Sequence, residues 1–273
     1  MNSLIHFLTF PLEYAPFLVS LGILTVLVLS LSTSIKKHAE IYYIVLSIPV
    51  ALYIIELVLL LTGITSFRLY ELPIAGQLMQ MNYHMVYFGY PLLVIIMYTG
   101  ALDNRRTYTK KLLSIRKELS IMAGFPVITH SLIRLFYTFP EALQFFSNHS
   151  DYVKQNDWIK SDFGVGISNF GYILGVLMFI LFMVLWVTSF TSIRKRMGHL
   201  LWKKTQKWAY VLYAMLFIHS ITLHIGWMFN WGIAAEDTTY IIKELIAIAS
   251  TLFIFASYLI LRVRKVYRTK QTK

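Results

Sequence analysis

Polar positions interrupt this chain in clusters, and between the clusters the residues run almost continuously apolar. Seven such runs, at approximately 15–34, 41–63, 83–102, 118–139, 168–192, 205–230 and 239–262, are long enough to cross a hydrocarbon core, which takes roughly 20 helical residues. Connections between them are short, apart from the 140–167 segment. The pattern predicts an all-α fold, a polytopic membrane helix bundle of about seven transmembrane helices.

Composition agrees with this class: 57% of residues are hydrophobic and 14% charged, with a mean hydropathy of +0.62. A net charge of +12 would suggest nucleic acid in a soluble protein, so the placement of the charges decides. Of the 25 Lys and Arg, two lie in the 35–40 turn, six each in the 103–117 and 193–207 loops, and six in the C-terminal stretch that begins with Arg262 at the end of the last run. These twenty occupy alternate loops, which places those loops and the C-terminus in the cytoplasm and the N-terminus outside. A nucleic-acid partner is thereby excluded in favour of membrane lipid, and the expected location is the cytoplasmic membrane, multi-pass. Residues 1–35 hold no Lys or Arg, so the first run reads as a retained span rather than a cleaved signal peptide. Cysteine is absent, which removes disulfides, thiolate metal sites and iron–sulfur clusters.

Histidines inside apolar runs carry the candidate chemistry. His130 lies twelve residues into the fourth run from Glu118, and His219 fourteen into the sixth from Thr205. At about 1.5 Å per residue both stand roughly 18–21 Å above the inner face. An intramembrane ionisable side chain is tolerated when it faces the bundle interior and has a partner, and two at one depth on different helices suggest a shared one. Haem b is the economical candidate, because neutral imidazoles can fill both axial positions of its iron. Without cysteine it would be held noncovalently. Arg134, one turn beyond His130, is placed to meet a haem propionate. A satisfied hydrogen bond to a neighbouring helix is the structural alternative for either histidine. His84 and His224, near the outer interface, form a possible second outer site for haem, copper or quinone, set against simple interfacial packing. Gly171 and Gly175 have the spacing of a close helix contact. Pro126 predicts a kink four residues before His130.

Two stretches then resemble a known family. Arg116-Lys117-Glu118-Leu119-Ser120 followed by His130, and Arg196, Gly198, Trp202, Tyr210 and His219, are similar to the corresponding segments of the ferric reductase-like transmembrane superfamily. The nearest branch is MsrQ, the haem-binding membrane subunit of the bacterial methionine sulfoxide reductase system. The similarity covers roughly residues 83–260. It implies an extra N-terminal helix and first cytoplasmic turn over 1–40, a haem-binding bundle over 41–262 and a basic cytoplasmic tail over 263–273. Where the family commonly has a second histidine, this chain has Gln206, and where two-haem members carry another it has Arg116 or Lys117. One outer haem is therefore expected, with Gln206 a candidate for the polar edge of a flavin (FMN or FAD) or quinone at the inner leaflet. The aromatics Trp202, Trp208, Tyr210 and Tyr213 beside it could stack on such a ring or form the usual interfacial belt.

With eleven residues after the last run, a fused nicotinamide–flavin domain is expected to be absent. The implied function is a b-type cytochrome subunit that passes electrons from a separate flavin reductase or quinol to an extracytoplasmic redox partner. The alternatives are a haem-free transporter or scaffold, and a terminal reductase of ferric iron or another extracellular acceptor.

Overall fold

A computed structural model of the chain describes residues 13–84 and 87–271, with the side chains of His84 and 269–271 left undescribed. Among the described residues every regular element is helical. Five helices are long and apolar enough to cross a membrane: Ala39–Leu61, Arg116–Ser147, Asp162–Val187, His199–Ile233 and Thr238–Arg268. The first and third predicted runs are realised as the shorter apolar helices Pro16–Ser30 and Gly89–Thr99. We label the apolar helices α1 (Pro16–Ser30), α2 (Ala39–Leu61), α3 (Gly89–Thr99), α4 (Arg116–Ile133), α5 (Asp162–Val187), α6 (Ala209–Trp227) and α7 (Thr238–Gln271).

Proline sets two of these starts. Pro16 opens α1, and Pro91 stands in the first turn of α3, where a missing N–H costs nothing but would break a helix continued from upstream. The chain packs as two compact units. Among the described residues, one comprises 13–19, 134–185 and 203–257; the other comprises 20–133, 186–202 and 258–271.

In the second unit α4 is the central element, contacted by α2, by α3 and by the π-helical turn Gln80–His84. α3 is apolar all round and correspondingly enclosed, with Leu92, Val94, Ile95, Ile96 and Met97 at 4% exposure or less. α2 behaves oppositely. Ile41, Ile44, Val45, Ile48 and Ile55 are each more than half exposed, the arrangement of a helix whose outer surface meets lipid. Pro126 opens the α4 ladder, and Trp186 Nε1 donates to the neighbouring Ile121 carbonyl at 3.1 Å. Gly124 permits that approach, since a Cβ there would fall inside the Trp186 indole.

In the first unit the long 140–167 connection proves to be largely helical. Helices Phe139–Ser147 and His149–Gln155 bring Phe145, Tyr152 and Val165 into a small apolar cluster. Read from the sequence only as the one long connection, this segment has the amphipathic spacing of Ala142 and Phe145, both buried. Two π-helical turns flank this region, Arg134–Thr138 after α4 and Met228–Ile233 after α6. Such turns insert a residue into the helical register and commonly mark functional positions.

Candidate functional site

Glycines make the central seam of the first unit. α5 meets α6 through Gly164, Gly171 and Gly175, with Gly226 facing from α6. A Cβ on Gly164 would lie 2.7 Å from the Gly226 carbonyl oxygen, and one on Gly171 would lie 2.8 Å from Thr222 Oγ1. Only hydrogen at these positions lets the two backbones approach so closely. The spacing of Gly171 and Gly175 announced part of this seam. Gly164 and Gly226 extend it by two further turns and were not recognised in the sequence.

His219 occupies the seam. Its Nδ1 lies 2.8 Å from the Gly171 carbonyl oxygen. A carbonyl oxygen only accepts, so Nδ1 carries the hydrogen, and in the neutral form of the ring Nε2 is the unprotonated nitrogen. Gly175 sits beneath the ring: a Cβ there would come within 3.0 Å of His219 Cε1. The glycine thus forms a cradle that any other residue would fill. Arg134 reaches the same turn of α5. Its guanidinium stands 6.0 Å from the ring centre of Tyr172, the residue after Gly171, and donates to Thr138 Oγ1 at 3.3 Å.

His224 faces elsewhere. Five residues past His219, it is turned by about 140° around the helix, given roughly 3.6 residues per turn. Its Nδ1 meets Glu244 Oε2 of α7 at 2.6 Å, with side-chain exposures of 24% and 10%. Within a membrane span such a carboxylate requires a partner, and His224 is it. Glu244 escaped the sequence reading although its signal was present, a single acid inside the apolar 239–262 run. A carboxylate-held imidazole also fixes ring orientation, as around many metals, but no group of three or more metal-ligating His, Cys, Asp or Glu side chains occurs among the described residues.

The remaining predicted positions are distributed as follows. His130 lies half-buried near the end of α4, in the second unit, whereas His219, Arg134, His224 and Gln206 belong to the first. His84 ends the Gln80–His84 turn of the second unit, and its side chain lies outside the described residues. Gln206 Nε2 donates to the Leu185 carbonyl near the end of α5 at 3.4 Å, a helix-capping contact that also accounts for an amide there. Among the inner-leaflet aromatics, Trp202 donates to the Thr188 carbonyl at 3.0 Å and lies beneath the Arg194 guanidinium at 4.1 Å. Trp208 and Tyr210 are exposed and Tyr213 is buried.

With the site described, similarity to known proteins can be set beside it. Residues 84–217 match the family described as ferric reductase like transmembrane component. That stretch contains His130, Arg134 and Gln206 and stops two residues short of His219, so the resemblance read from the sequence is supported over nearly half of the chain. An uncharacterized protein of Treponema pallidum (strain Nichols) is 25% identical over 248 residues, 91% of this chain. The chain spans only 60% of that relative's length. No solved structure matches.

Proposed function

We propose that this membrane protein is the haem b-bearing electron-transfer subunit of an oxidoreductase system, most like the MsrQ branch of the ferric reductase-like superfamily. It would take electrons from a cytoplasmic or membrane donor, flavin or quinol, and pass them to an extracytoplasmic acceptor or partner reductase. The basic loops would face the cytoplasm, following the positive-inside rule. The observation that carries the reading is the placement of His219: a half-buried imidazole whose Nδ1 is satisfied by the Gly171 carbonyl, so that its neutral form offers Nε2 as a lone-pair donor.

The residues present fit a haem. His219 would ligate through Nε2, with the Gly171 carbonyl holding its ring against rotation and Gly175 leaving the ring its space. His130 would be the second residue to hold the iron, on the sequence argument of matched depth alone. Arg134 would balance a propionate, with Tyr172 and Thr138 holding its guanidinium. A bound haem would supply one-electron chemistry between ferric and ferrous iron. The chain's own part is to keep the ligand neutral, fix its orientation and exclude water from it.

An absorption spectrum of the purified protein, before and after dithionite, tests this directly. The expected result is a low-spin, six-coordinate b-type spectrum. Well-folded protein from haem-replete cells with no Soret band would overturn it. That outcome would favour a second reading, a haem-free polar path, which draws on the intramembrane His224–Glu244 pair.

A further inference from the structure

Between α2 and α3, within the second unit, the chain makes a compact knuckle rather than an open loop. The 3-10 turn Leu69–Glu71 packs on the short helix Ala75–Met79. A Cβ at Gly76 would strike the Leu69 carbonyl oxygen, so only glycine lets the two segments close. The outside of the knuckle is apolar. Ile64 and Ile74 are 72% and 75% exposed, and Phe67, Tyr70, Leu78 and Met81 are exposed as well.

Inside, backbone donors find partners within the chain. The N–H groups of Thr62, Gly63 and Ile64 donate to carbonyls in the last turn of α2, and those of Leu72 and Gly76 donate to the Leu69 and Leu72 carbonyls. Elsewhere side chains serve instead: the Phe67 N–H donates to Thr65 Oγ1 at 3.0 Å, the Arg68 N–H to Glu71 Oε1 at 3.3 Å and the Leu69 N–H to Glu56 Oε1 at 2.9 Å. A loop in water has no need of this, because water meets its amides. A loop against acyl chains does, since an unmet amide there is costly.

Glu56 sets the depth. It stands five residues before the end of α2, about 7.5 Å along the axis, and helical side chains lean toward the N-terminus, here away from the knuckle. Leu69 is therefore drawn back alongside the span instead of standing clear of it. The apolar surface is also continuous with one already described. From Ile55 the exposed face of α2 runs on through Val58 and Leu61 to Ile64, so what covers that face extends over the knuckle.

We propose that residues 62–81 form a lipid-embedded loop, its apolar side chains lying among the acyl chains at the headgroup boundary of one leaflet, with Glu56 pinning it there through the Leu69 N–H. Glu71 and Gln77, polar and exposed on the same loop, belong at headgroup level and keep it from the bilayer centre. On the charge-derived topology the leaflet is the outer one; the haem reading does not enter.

The test places single nitroxide labels on the full chain in lipid vesicles. Ile74→Cys and Ile64→Cys report on the loop, Ile48→Cys on the lipid face of α2 and Lys110→Cys on a basic loop, and no native cysteine competes. Power-saturation EPR then compares collisions with oxygen, which concentrates in the bilayer, and with nickel–EDDA, which stays in water. Both loop labels are expected to favour oxygen severalfold, as the label at 48 does, while the label at 110 favours nickel. Loop labels that favour nickel would overturn the proposal. Labels screened from both reagents would overturn it too, and would put a partner protein or a second copy of the chain over the loop. Glu56→Leu removes the acceptor and should raise nickel collisions at position 74 severalfold, whereas Glu56→Gln keeps an oxygen there and should leave them low. The label at 48 should stay lipid-exposed in both variants. Unchanged immersion of position 74 in Glu56→Leu would overturn the pin, and the loop labels in the otherwise unsubstituted chain decide the proposal even if Glu56→Leu fails to insert.

Discussion

At the scale of single residues, the two histidines of α6 are predicted to fail differently. His219→Ala removes the imidazole that the Gly171 carbonyl holds in the glycine seam, and should abolish low-spin haem while the chain still inserts. Gly175→Val tests the same position from the other side: with the added Cβ only 3.0 Å from His219 Cε1, the ring must shift, and haem retention should drop in otherwise folded protein. His224→Ala should keep the haem spectrum. It leaves Glu244 buried without its 2.6 Å partner, at a cost of roughly 1.5–3 kcal/mol for a hydrogen bond to a charged group. Replacing both members, as in His224→Ala with Glu244→Leu, should recover part of that loss, because the isolated carboxylate is what costs. Thermal denaturation of the unsubstituted protein, His224→Ala and the double variant in one detergent checks the order.

At the scale of elements, the α5–α6 seam is the feature most sensitive to volume. Gly226→Val would drive a side chain into Ser168 and the Gly164 backbone, which cannot retreat as a flexible side chain could. A loss of roughly 1–3 kcal/mol or more is expected, as for overpacked cores. Gly22, with open space around its position, serves as the control, and Gly22→Ala should be neutral or slightly stabilising. In the second unit Gly124→Leu should expel the Trp186 indole from the Ile121 carbonyl, seen as a loss of near-ultraviolet tryptophan ellipticity. Helix content by far-ultraviolet dichroism should change little in all three, since the lesions lie between helices.

At the scale of the whole molecule, the expected haem content is one per chain, and Gln206→Ala should leave it unchanged. Pyridine haemochrome analysis giving two would mean that an inner iron has a ligand other than a residue at position 206. If Gln206 serves a flavin or quinone, its removal slows haem reduction by the natural donor without altering the spectrum; if it only caps Leu185, reduction proceeds at the wild-type rate. Topology is open to an equally direct measurement. A chain with no native cysteine accepts single reporter cysteines cleanly. Asn104→Cys, in a basic loop, should be shielded from an impermeant thiol reagent applied outside intact cells, and Glu236→Cys should be labelled.

Membrane residence and helical class followed from the sequence by itself, because a hydrocarbon solvent admits few backbone solutions and long apolar runs satisfy their own hydrogen bonds only as helices. The histidines stood out for the same reason, being expensive in that solvent. Partners were another matter. The distance between Gly171 and His219, or between His224 and Glu244, depends on how α5, α6 and α7 cross, and nothing local encodes a crossing. Helix length was also decided by packing and by proline, so that the third apolar run became the largely buried eleven-residue α3. The 140–167 segment hid its helices because each is under ten residues, and short helices draw their stability from the tertiary contacts they bury rather than from propensity. The bond between Glu56 and the Leu69 N–H belongs wholly to the folded state: a glutamate in a sequence carries no mark of which donor it will meet, and only the turn of chain that closes on it decides.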